Sequence, residues 1–185
     1  MNIKELSIKI LTELKIILCD INQDEIEQLI LKILSSKRIF LYGVGRALLM
    51  SKAFAMRLMH LGLTSYVITD VTTPSIQKDD LLIICTGSGE TDSIYFHVKK
   101  IKKIGLNIFT ITAHPDSRIG KLSNFVLTIP AQTKLEMINS PKSIQPMANQ
   151  FEQSLLLVLD MVTIFLMERL KENSKSMWQR HFNLE

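Results

Sequence analysis

The chain has 185 residues, 46% of them hydrophobic and 22% charged, which is enough for one folded unit with a sizeable core. Its 22 Lys and Arg against 18 Asp and Glu leave a net charge of +4, spread along the chain, which argues against a nucleic-acid surface. The two cysteines, Cys19 and Cys85, form neither a CxxC pair nor a Cys-His cluster, so a disulfide framework and a structural zinc site are not expected. The first 21 residues, MNIKELSIKILTELKIILCDI, intersperse charges with apolar residues. They read as an amphipathic helix from about Asn2 to Cys19, with Leu6, Ile10, Leu14, Ile17 and Leu18 as its stripe, and not as a signal peptide. A second helix is expected from Asn22, a plausible N-cap, to about Ser35.

The pattern then changes to short apolar runs that end in turns. Strands are expected at Arg38–Tyr42, Ser65–Ile68, Leu81–Cys85, Asn107–Thr112 and Phe125–Ile129. Helices alternate with them at Ala47–Leu61, Thr91–Ile104 and Ser117–Leu122. Strands apolar throughout, alternating with helices, argue for a parallel sheet covered on both faces. The expected class is α/β: a three-layer α/β/α sandwich on a five-stranded parallel sheet, with an added N-terminal helix pair. In outline that makes one domain, with helices over 1–36, the α/β core over 37–130, a C-terminal helix over 146–171 and a tail over 172–185. Ala131–Gln145 reads as a polar loop. The last long helix, from about Pro146 to Leu170, is apolar on nearly every side, so it must be buried all round, with a second subunit able to cover one side. Its most apolar stretch, Leu155–Met167, contains Asp160 and is too short to span a bilayer, so a cytoplasmic protein is expected.

Open parallel sheets bind ligands at the carboxyl ends of their strands. Two strand ends carry unusual residues: Gly43-Val44-Gly45-Arg46, and Thr86-Gly87-Ser88-Gly89-Glu90-Thr91-Asp92-Ser93. Glycines let the backbone approach an anion, the following helix start aims free N–H groups at it, and the hydroxyls of Thr86, Ser88, Thr91 and Ser93 add donors. No cation is required, so the site suits a phosphate monoester. The bland reading of the second turn is a capped helix start. Leu48 replaces the third glycine of a dinucleotide fingerprint, and no Walker lysine follows Gly45 or Gly89, so neither NAD nor ATP is expected.

These residues carry a resemblance. Thr86-Gly87-Ser88-Gly89-Glu90-Thr91 is similar to the phosphate loop of sugar-isomerase (SIS) domains. Lys52 to Gly62, Ile144-Gln145-Pro146-Met147 with Phe151-Glu152-Gln153, and the ending Arg180-His181-Phe182-Asn183-Leu184-Glu185 resemble the 6-phospho-3-hexuloisomerase family over essentially the whole chain. The resemblance implies an enzyme without cofactor or metal, working as a tetramer. It would interconvert 3-hexulose 6-phosphate and fructose 6-phosphate in the ribulose monophosphate route of formaldehyde fixation. Two departures stand out: Ala47 where the family has serine, and Phe182 where alanine is usual. A hydrogen bond to a charged group is worth about 1.5–3 kcal/mol, so Ala47 could weaken the phosphate contact.

Moving a carbonyl between adjacent carbons needs a base for a carbon-bound proton and an acid-base group for the oxygens. The resemblance points to Glu152 as base, against a plain helix-end charge. It favours His181 as acid-base partner, in a neighbouring subunit's site, with His60 as competitor; the bland readings are an exposed tail histidine and a packed one. Gly45, Arg46, Thr86, Ser88, Gly89, Glu90 and Thr91 are the candidate phosphate contacts, Glu90 with a helix-cap role as its bland reading. Arg46 and Arg57 could orient ligand or form ion pairs, and His97 and His114 read as structural. The alternative function is a sugar-phosphate sensor without catalysis, or an isomerase of a different phosphosugar. No partner beyond a sugar phosphate and further copies of the chain is expected: no nucleic acid and no membrane.

Overall fold

A computed structural model describes residues 2–68, 70–135 and 142–184. Helix α1 (Ile3–Cys19) opens on a capping box in which the Asn2 side chain accepts the Glu5 N–H and Glu5 accepts the Asn2 N–H. Helix α2 (Gln23–Ser35) starts on Asn22, whose side chain accepts the N–H groups of Asp24 and Glu25. Its Ile26, Leu29, Ile30 and Ile33 recur at helical spacing and are all buried.

The strands are β1 (Ile39–Gly43), β2 (Ser65–Val67), β3 (Leu81–Cys85), β4 (Asn107–Thr112) and β5 (Phe125–Thr128). They form one parallel sheet in the order β2-β1-β3-β4-β5. Every residue of β1 and β3 is buried, as a sheet covered on both faces requires. Alternate residues serve the two faces. Ile39, Leu41, Ile83, Phe109 and Ile111 join the core beneath α1, α2, α3 (Gly45–His60) and α6 (Asn149–Leu170). Phe40, Tyr42, Leu82, Ile84 and Ile108 pack on the other side with Ile94 and Val98 of α4 (Asp92–Ile101) and Ile119 of α5 (Arg118–Leu122).

The expected α/β class and three-layer sandwich are therefore present, and the differences are local. The helix expected to reach Ile104 tightens into a 3-10 turn over Lys102–Ile104 before Gly105, which has φ +82°. The long last helix begins at Asn149 and not at Pro146, because Met147 sits at φ +55°, a left-handed conformation through which a right-handed helix cannot propagate. The tail contains a short helix, α7 (Ser174–Trp178), that periodicity gave no sign of. Within one chain α6 is not buried all round. Leu155, Val158, Leu159, Val162 and Leu166 are buried, but Leu157, Ile164 and Phe165 face outward. By length and composition α6 could cross a membrane, yet half of its apolar window is buried in the fold, as in a core helix. Residues 136–141 of the polar loop lie outside the described residues.

Candidate active site

The strand order reverses between β1 and β3: the chain leaves β1 toward β2 on one side and returns with β3 on the other. In register, Gly43 lies beside Cys85, so the two glycine-bearing turns emerge next to each other. A Cβ on Gly43 would stand 3.0 Å from the Cys85 carbonyl oxygen, a close approach that glycine permits. Above this point lies a cavity of about 220 Å³ lined by Gly45, Arg46, Ala47, Thr86, Ser88 and Thr91, with Glu152 at its side. Six of the sequence-predicted residues thus meet in one cavity, from three separate parts of the chain.

Helix capping marks this cavity. Helices α1, α2, α5 and α7 each have a side chain, from Asn2, Asn22, Ser117 and Asn173, that accepts their first N–H groups. Helices α3, α4 and α6 have no such cap, and all three begin at the cavity, through Gly45 to Ala47, Thr91 and Ala148. Uncapped helix starts present free N–H groups and about half a positive charge each, which is the donor set for an anion. The turn after β3 adds hydroxyls with a defined polarity. Thr86 Oγ1 accepts the Gly89 N–H at 3.3 Å and Ser88 Oγ accepts the Glu90 N–H at 3.2 Å, so each hydroxyl proton is left to donate into the cavity.

Gly89 and Glu90, both expected at the phosphate, are placed otherwise. Neither is among the cavity's lining residues. Gly89 has φ +65°, and a Cβ there would fall 1.9 Å from Ser117 Oγ, so its glycine is demanded by packing against the start of α5. Glu90 does not cap α4, whose N-cap is Thr91. It turns to Arg118, accepting from its N–H at 2.8 Å and from its Nε at 2.6 Å. The hydrogen bond to the Arg118 backbone, with burial working against it and the guanidinium adding to it, holds the Glu90 carboxyl below the ordinary range.

Glu152 sits in the first turn of α6, mostly shielded from solvent, with Oε2 3.1 Å from Arg46 Nη1. The same guanidinium donates to Asn149 Oδ1. Sequence reasoning missed several neighbours. Lys134 puts a second cation on the lining beside Arg46, although no cation was required. Thr133 and Phe151 close the far wall, each just over 3 Å from a Cβ built on Gly87. His114 donates to or accepts from Thr133 Oγ1 at 3.0 Å and so braces that wall; burial, partly offset by Glu90, keeps it below the usual histidine range. His97 pairs with the Tyr42 hydroxyl at 2.6 Å, away from the cavity. Phe151 could be read from its motif; Thr133 and Lys134 lie in a loop whose path the sequence pattern does not determine. Cys85 lines the floor, where burial pushes its thiol up to about 12, and it is inert at neutral pH.

The two histidines form a different cluster. His60, at the end of α3, stacks on His181 with ring centroids 5.2 Å apart, and His181 stacks on Trp178 at 4.9 Å. Arg180 places the tail there: its guanidinium donates to the His60 carbonyl at 3.0 Å and to Glu172 Oε1 at 3.0 Å, lying over Gly62. His60 is buried, and burial, Arg57 and His181 together lower its pKa, so it is neutral at pH 7. Both rings line a second cavity with Arg57, Asp160 and Ile164. Within one chain, neither shares the cavity of Glu152.

Residues 32–162 match the family model described as SIS domain. A Bacillus subtilis protein named 3-hexulose-6-phosphate isomerase is 41% identical, over 96% of each chain. A relative of the same name from Methanocaldococcus jannaschii is 40% identical, over 88% of this chain and 85% of that one. The crystal structure of a Methanococcus jannaschii protein, for which the function of 3-hexulose-6-phosphate isomerase was inferred, superimposes with a TM-score of 0.84 at 34% identity, covering 99% of this chain and 100% of that one. With five parallel strands in this order and sequence likeness over nearly the whole length, the chain belongs to the SIS domain family and, within it, to the 3-hexulose-6-phosphate isomerase group.

Proposed function

We infer that this protein is a sugar phosphate isomerase that interconverts 3-hexulose 6-phosphate and fructose 6-phosphate. The observation that carries the reading is the meeting of three uncapped helix starts and a hydroxyl-lined glycine turn beside the Glu152–Arg46 pair. The helix starts and the hydroxyls of Thr86, Ser88 and Thr91 suit the phosphate, with Arg46 and Lys134 balancing its charge. The sugar would then lie toward Glu152. As base, Glu152 takes the proton from C2 of the 3-ketose while O3 gains a proton, giving the 2,3-enediol. Return of the proton to C3, with loss of the O2 proton, gives the 2-ketose. The Arg46 guanidinium keeps the carboxylate in place and is near enough to polarise the oxygens.

The oxygen protons need a second group, and His181 with neutral His60 is our assignment, acting from a neighbouring subunit. Two features support action across subunits: the rings lie outside the Glu152 cavity in their own chain, and they border the outward apolar face of α6. A tetramer in the cytoplasm, without a nucleic-acid or membrane partner, completes the proposal.

The test follows fructose 6-phosphate formation from 3-hexulose 6-phosphate and solvent deuterium uptake into the product. Glu152→Gln keeps size and hydrogen bonding but removes the basic oxygen, and is expected to cut turnover about 10²–10⁴-fold. Mixing inactive Glu152→Gln subunits with His181→Ala subunits is expected to restore part of the activity, because some sites then combine both intact groups. A Glu152→Gln enzyme that exchanges the carbon-bound proton as fast as the parent overturns Glu152 as base. No restoration on mixing overturns the sharing of sites between subunits.

A further inference from the structure

Helix α1 takes no part in the chemistry described so far, yet one of its carboxylates reaches the support of the site. Glu13 accepts three hydrogen bonds from the segment leading into α6: Ser143 Oγ at 2.6 Å and Gln145 Nε2 at 3.1 Å on one oxygen, and the Ile144 N–H at 2.8 Å on the other. Gln145 is buried, and its Oε1 accepts from Asn149 Nδ2 at 2.7 Å. Asn149 Oδ1 accepts from Arg46 Nη1, and that nitrogen lies 3.1 Å from Glu152 Oε2. An unbroken line of polar contacts thus runs from α1 to the Glu152 carboxylate.

This line has a direction. An ionised carboxylate only accepts, so Glu13 obliges Gln145 to turn its NH₂ toward α1 and its oxygen toward Asn149. Asn149 must then give its NH₂ to Gln145 and its oxygen to Arg46. Reversing Gln145 would set its NH₂ against that of Asn149 and its oxygen against Glu13, and reversing Asn149 would set an NH₂ group against the Arg46 guanidinium. Burial pushes the Glu13 carboxyl up, but its three donors outweigh that and hold it below the ordinary value, so it is an acceptor throughout the neutral range.

We propose that Glu13 is a positioning residue: it sets the polarity of the Gln145–Asn149 amide relay and thereby holds Arg46 against Glu152. The proposal rests on the reading of Glu152 as base. It predicts that Glu13→Gln, whose amide can satisfy Gln145 in the reversed sense, lets the relay flip and releases Arg46. Turnover of 3-hexulose 6-phosphate is then expected to fall between about ten-fold and a hundred-fold, with KM rising by less than kcat falls, since the hydroxyls of the phosphate turn and Lys134 are untouched while Arg46 loses its place beside both Glu152 and the phosphate. Adding Asn149→Asp is expected to restore most of kcat, because a carboxylate at 149 accepts from Arg46 whichever way Gln145 points. An anchor of purely structural use would lower the melting temperature and yield of Glu13→Gln, leave kcat per folded site unchanged, and gain nothing from Asn149→Asp. If Glu13→Gln does not fold, Gln145→Leu cuts the relay in its middle and is expected to give the same loss and the same rescue. Unchanged kcat in the folded variant, or a loss that Asn149→Asp does not relieve, overturns the proposal. Glu152→Gln measured alongside separates the two failures: if it retains proton exchange, the base assignment and this proposal fall together, whereas if it is inactive while Glu13→Gln is not, only the role of Glu13 falls.

Discussion

Ala47 shows how much one atom can decide at this site. It lies on the cavity wall in the first turn of α3, where a serine would aim a hydroxyl at the bound anion. Ala47→Ser is expected to tighten fructose 6-phosphate, the added bond to a charged group being worth about 1.5–3 kcal/mol at most. Ser88→Ala removes a hydroxyl whose proton is free to donate, and it also strips the Glu90 N–H of its acceptor, so binding should weaken by a similar amount. Calorimetric titration with fructose 6-phosphate and with fructose checks both. Equal affinity for the two sugars would show that the cavity does not read phosphate. At this scale, the residues in the turns after β1 and β3 were legible because glycines and hydroxyls between a strand end and a helix start supply close backbone approach and donors where a parallel sheet binds its ligand. Gly89 and Glu90 look like contact residues in the same motif. Only the structure reveals that Gly89 lies against Ser117 with no room for a Cβ and that the Glu90 carboxylate is taken by Arg118.

Among the helices, capping separates those that stabilise themselves from those kept open. Four have side-chain caps, and the three that start at the cavity do not. A cap at a binding helix would satisfy the very N–H groups that the ligand needs. Thr91→Asp tests this opposition. A carboxylate at the N-cap of α4 should raise the stability of the unliganded protein by about 0.5–1 kcal/mol in urea titrations. The same charge should repel the phosphate and weaken fructose 6-phosphate binding. If stability rises without loss of binding, the start of α4 does not serve the anion. Element boundaries followed from local chemistry where an Asn or Ser cap or a terminal glycine marked them. The start of α6 did not, since Met147 at φ +55° is a conformation that tertiary packing imposes and no sequence pattern announces.

For the whole molecule, two surfaces set the expected behaviour. On the outer side of α6, Ile164 is 63% exposed, and Leu157 and Phe165 on the same helix are exposed as well. Contiguous exposed apolar residues of this size mark a contact surface. Ile164→Lys is expected to shift the sedimenting species to a smaller assembly without altering the circular dichroism spectrum. An unchanged sedimentation coefficient would place the subunit contacts elsewhere. Just before the starts of β1 and β3, Asp80 is buried and accepts from Arg38 Nε at 2.9 Å, Arg38 Nη2 at 2.7 Å and the Gln77 N–H at 2.7 Å. Burial alone would raise its pKa, but these donors and the Arg38 charge hold it below the ordinary value of 3.8. Its ionised form therefore adds stability above that value, and the contribution is lost as pH falls through the lower folded pKa. Asp80→Asn should be less stable than the parent at pH 7, with the gap closing below about pH 4 in urea titrations. A constant gap across that range would mean that the charge of Asp80 does not contribute.

The sequence by itself determined the layers. Apolar strands alternating with helices admit little besides a parallel sheet covered on both sides, and a hydroxyl-rich glycine turn at a strand end marks an anion site, because both follow from local periodicity and local backbone chemistry. Only the tertiary structure decided which residues meet. The register of β1 with β3 brings the turns after Gly43 and Cys85 together, and Arg180 draws the tail onto α3 so that His181 stacks on His60, apart from Glu152. In the line from Glu13 to Arg46, the links to Ile144 and from Asn149 each join residues more than a hundred positions apart. Contacts of that kind depend on how whole elements pack, and pattern along the chain carries no record of them.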